Sequence, residues 1–109
     1  MFEAFNSSRV AQFAEGFAKS LSLADKVILT PIFKARATAE DALGVGPEDI
    51  AREGRKMGEG GKFEIAGNLE EGAGMLASWA RPGDTLATIG AGTIARTNPE
   101  ILTLLREKL

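Results

Sequence analysis

The sequence predicts an α/β fold: a three-layer domain in which a mostly parallel sheet of about four strands carries helices on both faces. Short apolar runs alternate four times with stretches that have helix-start signals and helical periodicity. This alternation is typical of parallel strands joined by right-handed crossovers. The chain has 109 residues, of which 44% are apolar, enough for one core. We therefore expect a single domain over residues 1–109.

The composition excludes several classes of function. With 13 Lys and Arg against 15 Asp and Glu, and no basic stripe, nucleic acid is not an expected partner. The chain has no cysteine and no histidine, which excludes disulfides, thiolate metal sites and histidine-dependent nucleophilic catalysis. No apolar run approaches the roughly 18 residues that span a bilayer. An acid, Glu3, stands where a signal peptide would be basic. We therefore expect a cytoplasmic protein without a membrane partner.

The chain begins with a short strand and a helix. Met1–Phe5 is a plausible strand because a strong helix start follows it: Asn6, Ser7 and Ser8 are good N-cap residues, and the helix is predicted from Ser7 to Ser20. Its apolar stripe consists of Val10, Phe13, Ala14, Phe17 and Leu21. Arg9 falls in the first turn, where a cation opposes the helix dipole. Either Arg9 faces an anion, or it is an exposed arginine without a role.

The next strand and helix are separated by a polar segment. Lys26–Phe33 has a β-branched apolar centre typical of a buried parallel strand, and Pro31 ends its ladder. Residues 34–45 are polar and alanine-rich without a clear period, and they are predicted to form a loop that could hold a helical turn. The helix that begins at Gly46 and Pro47 should end near Gly58, with Ile50, Ala51 and Met57 facing inward.

Glycines before a lysine suggest a phosphate loop, but the context argues against one. In Gly58–Phe63 a phenylalanine replaces the hydroxyl residue of G-x-x-x-x-G-K-[ST], and a strand follows the lysine. That strand, Lys62–Ala66, is short and lies at an edge. Asn68 then caps a helix, with Glu71 three residues on as in a capping box. Glycines 72 and 74 weaken this helix and are interpreted as allowing close packing on the sheet.

The most informative stretch is Pro82–Thr93. A Pro-Gly-Asp turn leads into the apolar run Thr85–Ile89, and this run ends in Gly90, Ala91, Gly92 and Thr93 before more helical sequence. The order is strand, glycine loop, helix. Glycine allows another molecule to approach the backbone closely. The alternative is that the two glycines make a tight turn before the last helix, which begins at Asn98–Pro99, carries Ile101, Leu102, Leu104 and Leu105, and ends near Leu109.

The expected topology brings two loops together. In the strand order 3-2-1-4 the first strand lies beside the fourth, at the switch point where ligands of open α/β sheets bind. The loops that meet there are Asn6–Arg9 and Gly90–Thr93. These eight residues, Asn6, Ser7, Ser8, Arg9, Gly90, Ala91, Gly92 and Thr93, are the candidate site.

Three segments resemble one family. Ala24–Thr30, Pro82–Ile94 and Asn6–Arg9 together are similar to the C-terminal domain of the Mur ligases, above all the alanine-adding and murein-tripeptide-recycling members. The resemblance spans nearly the whole chain in order. It implies a Rossmann-like domain that closes over a central ATPase domain in an ADP-forming amide ligase of peptidoglycan synthesis. ATP and Mg would then be cofactors of the full-length ligase.

The resemblance also implies roles for the two loops. Arg9 matches an arginine that faces the carboxylate of the incoming amino acid or peptide, and an arginine fork suits that task. Gly90–Thr93 matches a glycine loop near the nucleotide. The expected partners are therefore the amino acid or peptide substrate, ATP and the ATPase domain of the same ligase.

Departures from the family limit what the chain can do alone. Glu3 and its neighbours stand where these ligases carry a proline with a basic or histidine residue, and Thr93 replaces an acid. The family's P-loop and metal ligands are absent. The sequence therefore predicts a fragment without the UDP-binding and ATPase domains, which neither catalyses ligation nor binds a cofactor tightly. The alternative is a stand-alone, non-catalytic α/β domain that binds a small ligand or a partner.

Overall fold

Within the described residues the sheet has four strands, and all of them are parallel. The computed structural model describes residues 1–4, 7–33 and 45–108. The elements in chain order are β1 (Phe2–Glu3), α1 (Ser7–Leu21), β2 (Val27–Leu29), α2 (Pro47–Lys56), β3 (Phe63–Ile65), α3 (Leu69–Trp79), β4 (Ile89–Gly90) and α4 (Asn98–Lys108). Short 3-10 helices lie at Gly60–Lys62 and Ile94–Thr97. The strand order is β3-β2-β1-β4, and every pair is parallel. The predicted α/β class and the order 3-2-1-4 are confirmed.

Strand β2 lies in the middle of the core because both of its faces are covered. Successive side chains of a strand point to opposite faces. Val27 and Leu29 pack on the side of α1 and α2, whereas Ile28 packs on the side of α3 and α4. All three are buried. An uninterrupted apolar run, which has no amphipathic period, is the pattern expected of a strand between two helical layers.

Side chains satisfy the free backbone groups at two helix starts. The Glu71 N–H donates to Asn68 Oδ1 at 2.7 Å, and the Gly67 N–H donates to the Glu71 carboxyl group at 3.1 Å. At α2 the Gly46 N–H donates to Asp49 Oδ2 at 2.9 Å, and this bond is the main cause that holds the pKa of Asp49 below its usual value. Both helix starts were predicted from the sequence.

Lys62 has a structural part rather than a phosphate-binding one. Its ammonium group donates to the carbonyl of Ser22 at 2.9 Å and lies 3.0 Å from the Glu59 carboxylate. It therefore ties the 3-10 helix before β3 to the end of α1. This geometry agrees with the prediction that the glycines before Lys62 do not form a phosphate loop.

The glycines of α3 differ in their surroundings. A Cβ on Gly72 would lie 2.6 Å from Met1 Sδ and 3.3 Å from the Ala66 Cβ, so this glycine does allow close packing on the sheet. Gly74 has no such neighbour within 4 Å, and for it the packing interpretation is wrong.

Two inward-facing assignments are wrong. Phe13 is 45% exposed, since its non-helical backbone (φ −121°, ψ 15°) interrupts α1 and turns the apolar stripe. Met57 is 38% exposed because α2 ends at Lys56. No face was assigned to the apolar residues of the last helix, where Ile101 is buried in the core and Leu102 is 52% exposed. The predicted loop falls mostly on residues 34–44, outside the described residues.

The run Thr85–Ile89 was predicted as a complete strand, and this is wrong in extent. Only Ile89–Gly90 has strand geometry, at the edge of the sheet, and both residues are exposed. Ile89 pairs with Phe2 and Gly90 with Glu3. The strand that organises the predicted site is therefore a short edge strand.

The amino group of Met1 makes stability depend on pH. Burial lowers the pKa of this amine. The amine borders a hollow of about 790 Å³, and the charged residues that line this hollow are Asp25, Lys26, Arg81, Asp84 and Lys108. Below the lowered pKa the amine is charged in both the folded and the unfolded chain, so the burial of its charge opposes folding in full. Above a pH of about 8 the amine is neutral in both, and this cost is absent. The free energy of unfolding should therefore rise as the pH rises toward about 8. Urea unfolding of the 109-residue chain at pH 6 and 8.5 measures this.

The N-acetylated chain is the control for the amine. Acetylation removes the titrating charge, so the acetylated chain should lose this rise in stability and be the more stable form at pH 6. An equal rise in both forms would assign the pH dependence to other groups.

Candidate functional site

The candidate site lies at the carboxyl ends of β1 and β4. Because Glu3 pairs with Gly90 in a parallel ladder, the chain leaves both strands at the same edge of the sheet. From there β1 leads to α1 on one face, and β4 leads to the 3-10 helix and α4 on the other. This is the topological switch point, where ligands of open parallel sheets bind.

Glu3 connects the two strand ends. Its side chain is only 4% exposed, and its Oε1 accepts the backbone N–H of Ile94 at 3.1 Å. Its Oε2 accepts a longer bond from the Thr93 hydroxyl, at 3.3 Å. A buried donor or acceptor without a partner costs about 1 to 3 kcal/mol, so these bonds stabilise both the Glu3 carboxyl group and the loop that donates to it. The Glu3 carboxyl group holds the glycine loop against β1.

Both glycines of the loop are required by close packing. A Cβ on Gly90 would lie 2.9 Å from the Glu3 carbonyl oxygen and 2.9 Å from Ile94 Cγ2. A Cβ on Gly92 would lie 2.5 Å from Phe33 Cγ and 2.9 Å from Glu3 Oε1. Neither glycine has a positive φ, unlike Gly58 and Gly83. The space beside the two glycines is therefore occupied by atoms of the same chain, from Glu3, Phe33 and Ile94.

The structure brings together only part of the predicted site. Thr93 is half-buried beside Glu3, and Ala91 is exposed at the tip of the loop. Arg9 is exposed in the first turn of α1, at the same edge of the sheet. Asn6 and the side chains of Ser7 and Ser8 lie outside the described residues.

Glu3 is the site residue that the sequence interpretation missed. It was noted only as a departure from the family and as an acid near the start of the chain. The signal that would have found it is an acid at the end of a central strand, since such a side chain needs buried hydrogen-bond donors. The partners lie ninety residues further along the chain, beyond the reach of any local pattern.

A hollow of about 320 Å³ opens beside Glu3 at this edge. Its walls are Glu3, Pro31, Ile32, Phe33, Asn68, Leu69 and Glu70. The first turn of α3 borders the hollow, but one of its free N–H groups is already taken by Asn68. The carboxylates of Glu3 and Glu70 disfavour an anion here, and Asn68 takes one of the N–H groups that would attract an anion to the helix start. The hollow suits a neutral or cationic group with an apolar body.

The donor set of the described residues does not fit a magnesium site. Mg²⁺ takes oxygen ligands in octahedral geometry, commonly carboxylates together with phosphates and water. Among residues 1–4, 7–33 and 45–108 no three acidic or other metal-ligating side chains come together. Both oxygens of Glu3 are engaged in hydrogen bonds. No step is therefore assigned to a metal held by these residues.

No helix in the described part of the chain has the length and apolar character to cross a membrane.

Comparison with known proteins identifies relatives. No protein-family model matches the chain. It is 38% identical over 94 residues to a Caldicellulosiruptor saccharolyticus protein named UDP-N-acetylmuramate--L-alanine ligase, covering 86% of the chain and 20% of that protein. A Bifidobacterium longum protein of the same name is 37% identical over 108 residues, covering 96% of the chain and 21% of that protein. One from Kineococcus radiotolerans is 31% identical over 109 residues, covering 99% of the chain and 22% of that protein.

The coverage is unequal on the two sides of each alignment. Almost all of the chain is matched, yet it spans only about one fifth of the length of these relatives. The fold agrees with the one that the resemblance implied, an α/β sheet in the order 3-2-1-4. The chain is thus a relative of the UDP-N-acetylmuramate--L-alanine ligases, and what it matches is consistent with the C-terminal domain of the Mur ligase family.

Proposed function

We propose that the chain is the C-terminal module of an ATP-dependent ligase that joins an amino acid or peptide to UDP-N-acetylmuramate, in cytoplasmic peptidoglycan precursor synthesis or recycling. The observation that carries the proposal is the alignment of 86–99% of the chain with enzymes of that name. The module closes over an ATPase domain of the same ligase. ATP and Mg belong to the full-length enzyme, and this chain alone binds neither tightly.

Within that reaction the chain binds and orients rather than transfers groups. A muramoyl carboxylate is activated as an acyl phosphate, and the amine of the incoming substrate displaces phosphate. Arg9 is exposed at the switch-point edge, where its guanidinium group is free to form a two-bond fork with the carboxylate of that substrate. Such a fork fixes the orientation of the amine at the other end of the amino acid.

The glycine loop supports the nucleotide side of the proposal. Gly90–Thr93 follows the strand beside β1, so a nucleotide near it and an amino acid near Arg9 would be neighbours. The backbone N–H of Ile94 already donates to Glu3, so this N–H group does not serve as a donor to phosphate oxygens. We therefore expect the loop to contact the nucleotide by its exposed tip at Ala91.

An NMR titration tests the proposal. The 109-residue chain is titrated separately with L-alanine and with Mg-ATP at millimolar concentration. L-alanine should shift the amides of Asn6–Arg9, and Mg-ATP those of Gly90–Thr93. Arg9→Gln should weaken L-alanine binding about tenfold, which corresponds to about 1.4 kcal/mol. The matched control is Arg106→Gln, also an exposed arginine on a helix but at the end of α4, and it should bind as the parent does.

The second candidate is a stand-alone α/β domain that binds a small ligand or partner without catalysis. The bonds between Glu3 and the loop favour this second candidate, since the Glu3 carboxyl group already accepts the Thr93 hydroxyl and the Ile94 N–H. Absence of shifts at both loops would favour this candidate. A neighbouring reading frame with G-x-x-x-x-G-K-[ST] would favour the ligase module. ATP-dependent ligation by the 109 residues alone would contradict both.

A further inference from the structure

The hollow of about 320 Å³ beside Glu3 (the Glu3 hollow) is distinct from the two loops of the candidate site. Its described walls come from the end of β1, from Pro31–Phe33 after β2, and from Asn68–Glu70 at the start of α3. Neither Arg9 nor the described loop Gly90–Thr93 lines it. Its volume lies at the lower end of the range of about 300 to 1,000 Å³ that is typical of small-molecule sites. The Glu3 hollow therefore has room for a small ligand other than those proposed above.

The negative charge of Glu3 has no countercharge within ion-pair distance among the described residues. Glu3 is 4% exposed, and both of its hydrogen bonds come from uncharged donors, the Ile94 N–H and the Thr93 hydroxyl. The ion pairs in the described part of the chain all lie between positions 49 and 62, and none includes Glu3 or Glu70. Buried charges in proteins are normally paired with an opposite charge. A ligand with a positive charge would supply that partner.

The Glu3 carboxylate can accept further hydrogen bonds. A carboxylate oxygen has two acceptor positions, and each Glu3 oxygen accepts one bond from the described residues. Glu70 lines the same hollow and is exposed in the first turn of α3. Two carboxylates with open acceptor positions suit a ligand group that has several N–H donors. An ammonium group, with three donors, is such a group.

The rest of the described wall is mainly apolar. Its apolar members are Pro31, Ile32, Phe33 and Leu69. The Phe33 ring is a neighbour of the Glu3 carboxylate, since a Cβ on Gly92 would lie 2.5 Å from Phe33 Cγ and 2.9 Å from Glu3 Oε1. The charged and the apolar parts of the wall are therefore adjacent. This arrangement fits a ligand with a charged head and an apolar body.

Other classes of ligand fit the Glu3 hollow less well. An anion would be repelled by Glu3 and Glu70, and Asn68 already accepts an N–H at the start of α3. A hydrated metal ion would gain nothing from the apolar wall, and no three metal-ligating side chains come together among the described residues. A neutral molecule would leave the charge of Glu3 unpaired. An organic cation is the class that uses both parts of the wall.

We propose that the Glu3 hollow binds a small aliphatic amine in its charged form. The ammonium group donates to the carboxylates of Glu3 and Glu70, and the alkyl chain lies against Pro31, Ile32 and Leu69. The ammonium group provides the selectivity, because it pairs a buried charge, and the alkyl chain provides the apolar contact. This binding site goes beyond the proposed function, which uses Arg9 and the glycine loop.

An NMR titration with n-butylammonium chloride at pH 7 tests the proposal. At this pH the amine is charged, as a lysine side chain is. The amides of Ile32, Leu69 and Glu70 should shift and saturate at millimolar concentration, relative to equal sodium chloride. 1-Butanol, which has the same alkyl chain without the charge, should bind about fivefold more weakly or worse. Equal affinity for the two compounds, or shifts that do not saturate with n-butylammonium, overturns the proposal.

Glu3→Gln tests the buried charge. The glutamine side chain keeps the shape of Glu3 and partners for Thr93 and Ile94, but it has no charge. In this variant n-butylammonium and 1-butanol should bind with equal affinity. A preference for n-butylammonium that persists in Glu3→Gln overturns the assignment of the ammonium group to Glu3.

Glu70→Gln tests the exposed carboxylate and does not depend on the buried one. It should weaken n-butylammonium binding by about twofold to threefold, in the range for an exposed ion pair. The matched control is Glu100→Gln, also an exposed acid in a first helical turn but in α4, and it should bind as the parent does. Equal binding by the two variants would contradict the place given to the ligand. Arg9→Gln should leave n-butylammonium binding unchanged, so the result is independent of the ligase proposal.

Discussion

Glu3→Ala should lower the free energy of unfolding by about 2 to 3 kcal/mol. The substitution leaves the buried N–H of Ile94 without its acceptor, which costs about 1 to 3 kcal/mol, and it opens a cavity at the end of β1. Removing a carboxyl group that is 4% exposed also removes its cost of burial, which keeps the loss from being larger. Urea unfolding at pH 7 measures the change.

Glu3→Gln is the matched control for this prediction. A glutamine side chain has nearly the same shape, its carbonyl oxygen can accept the Ile94 N–H, and its amide can donate to the Thr93 hydroxyl. We expect a loss below about 1 kcal/mol, in the range of one ordinary hydrogen bond. If Gln and Ala were equally destabilising, the charge of Glu3 rather than its role as an acceptor would hold the loop.

Local sequence signals predicted the fold well because each acts within a few residues. Asn68 and Glu71 identify a helix start whose bonds the structure contains, and the alternation of apolar runs and helices predicts a parallel sheet, for which the Rossmann-like order 3-2-1-4 was expected and is found. The meeting of β1 and β4 at one edge follows from that order alone. Thus the backbone of the candidate site was predictable from topology.

Side-chain contacts across the sheet were not predictable in the same way. The bond between Glu3 and Ile94 joins residues 91 positions apart, so no periodicity contains it. Helical periodicity placed Phe13 in the apolar stripe of α1, but it carries no information on an interrupted helix. The run Thr85–Ile89 has strand composition, and whether it pairs along its whole length depends on a neighbour in space.

Gly92→Ala should destabilise the chain by about 1 to 3 kcal/mol, the range for inserting a methyl group into a packed site. The new Cβ would lie 2.5 Å from Phe33 Cγ, the first atom of the ring, which can move away only if the whole side chain rotates or the backbone shifts. Gly74→Ala is the matched control, since a Cβ there meets nothing within 4 Å in the helix α3. It should stabilise by about 0.5 to 1 kcal/mol, because alanine is the better helix former.

A double-mutant cycle assigns the cost of Gly92→Ala to its cause. Phe33→Ala removes Cγ and the ring that the new Cβ would meet, so Gly92→Ala should cost much less in that background. Glu3→Ala removes only the more distant obstacle at 2.9 Å, and most of the cost should remain. If the cost vanished with Glu3→Ala but persisted with Phe33→Ala, the Glu3 carboxyl group would be the obstacle that requires glycine at position 92. Either result would assign the requirement for glycine at position 92 to packing within the chain.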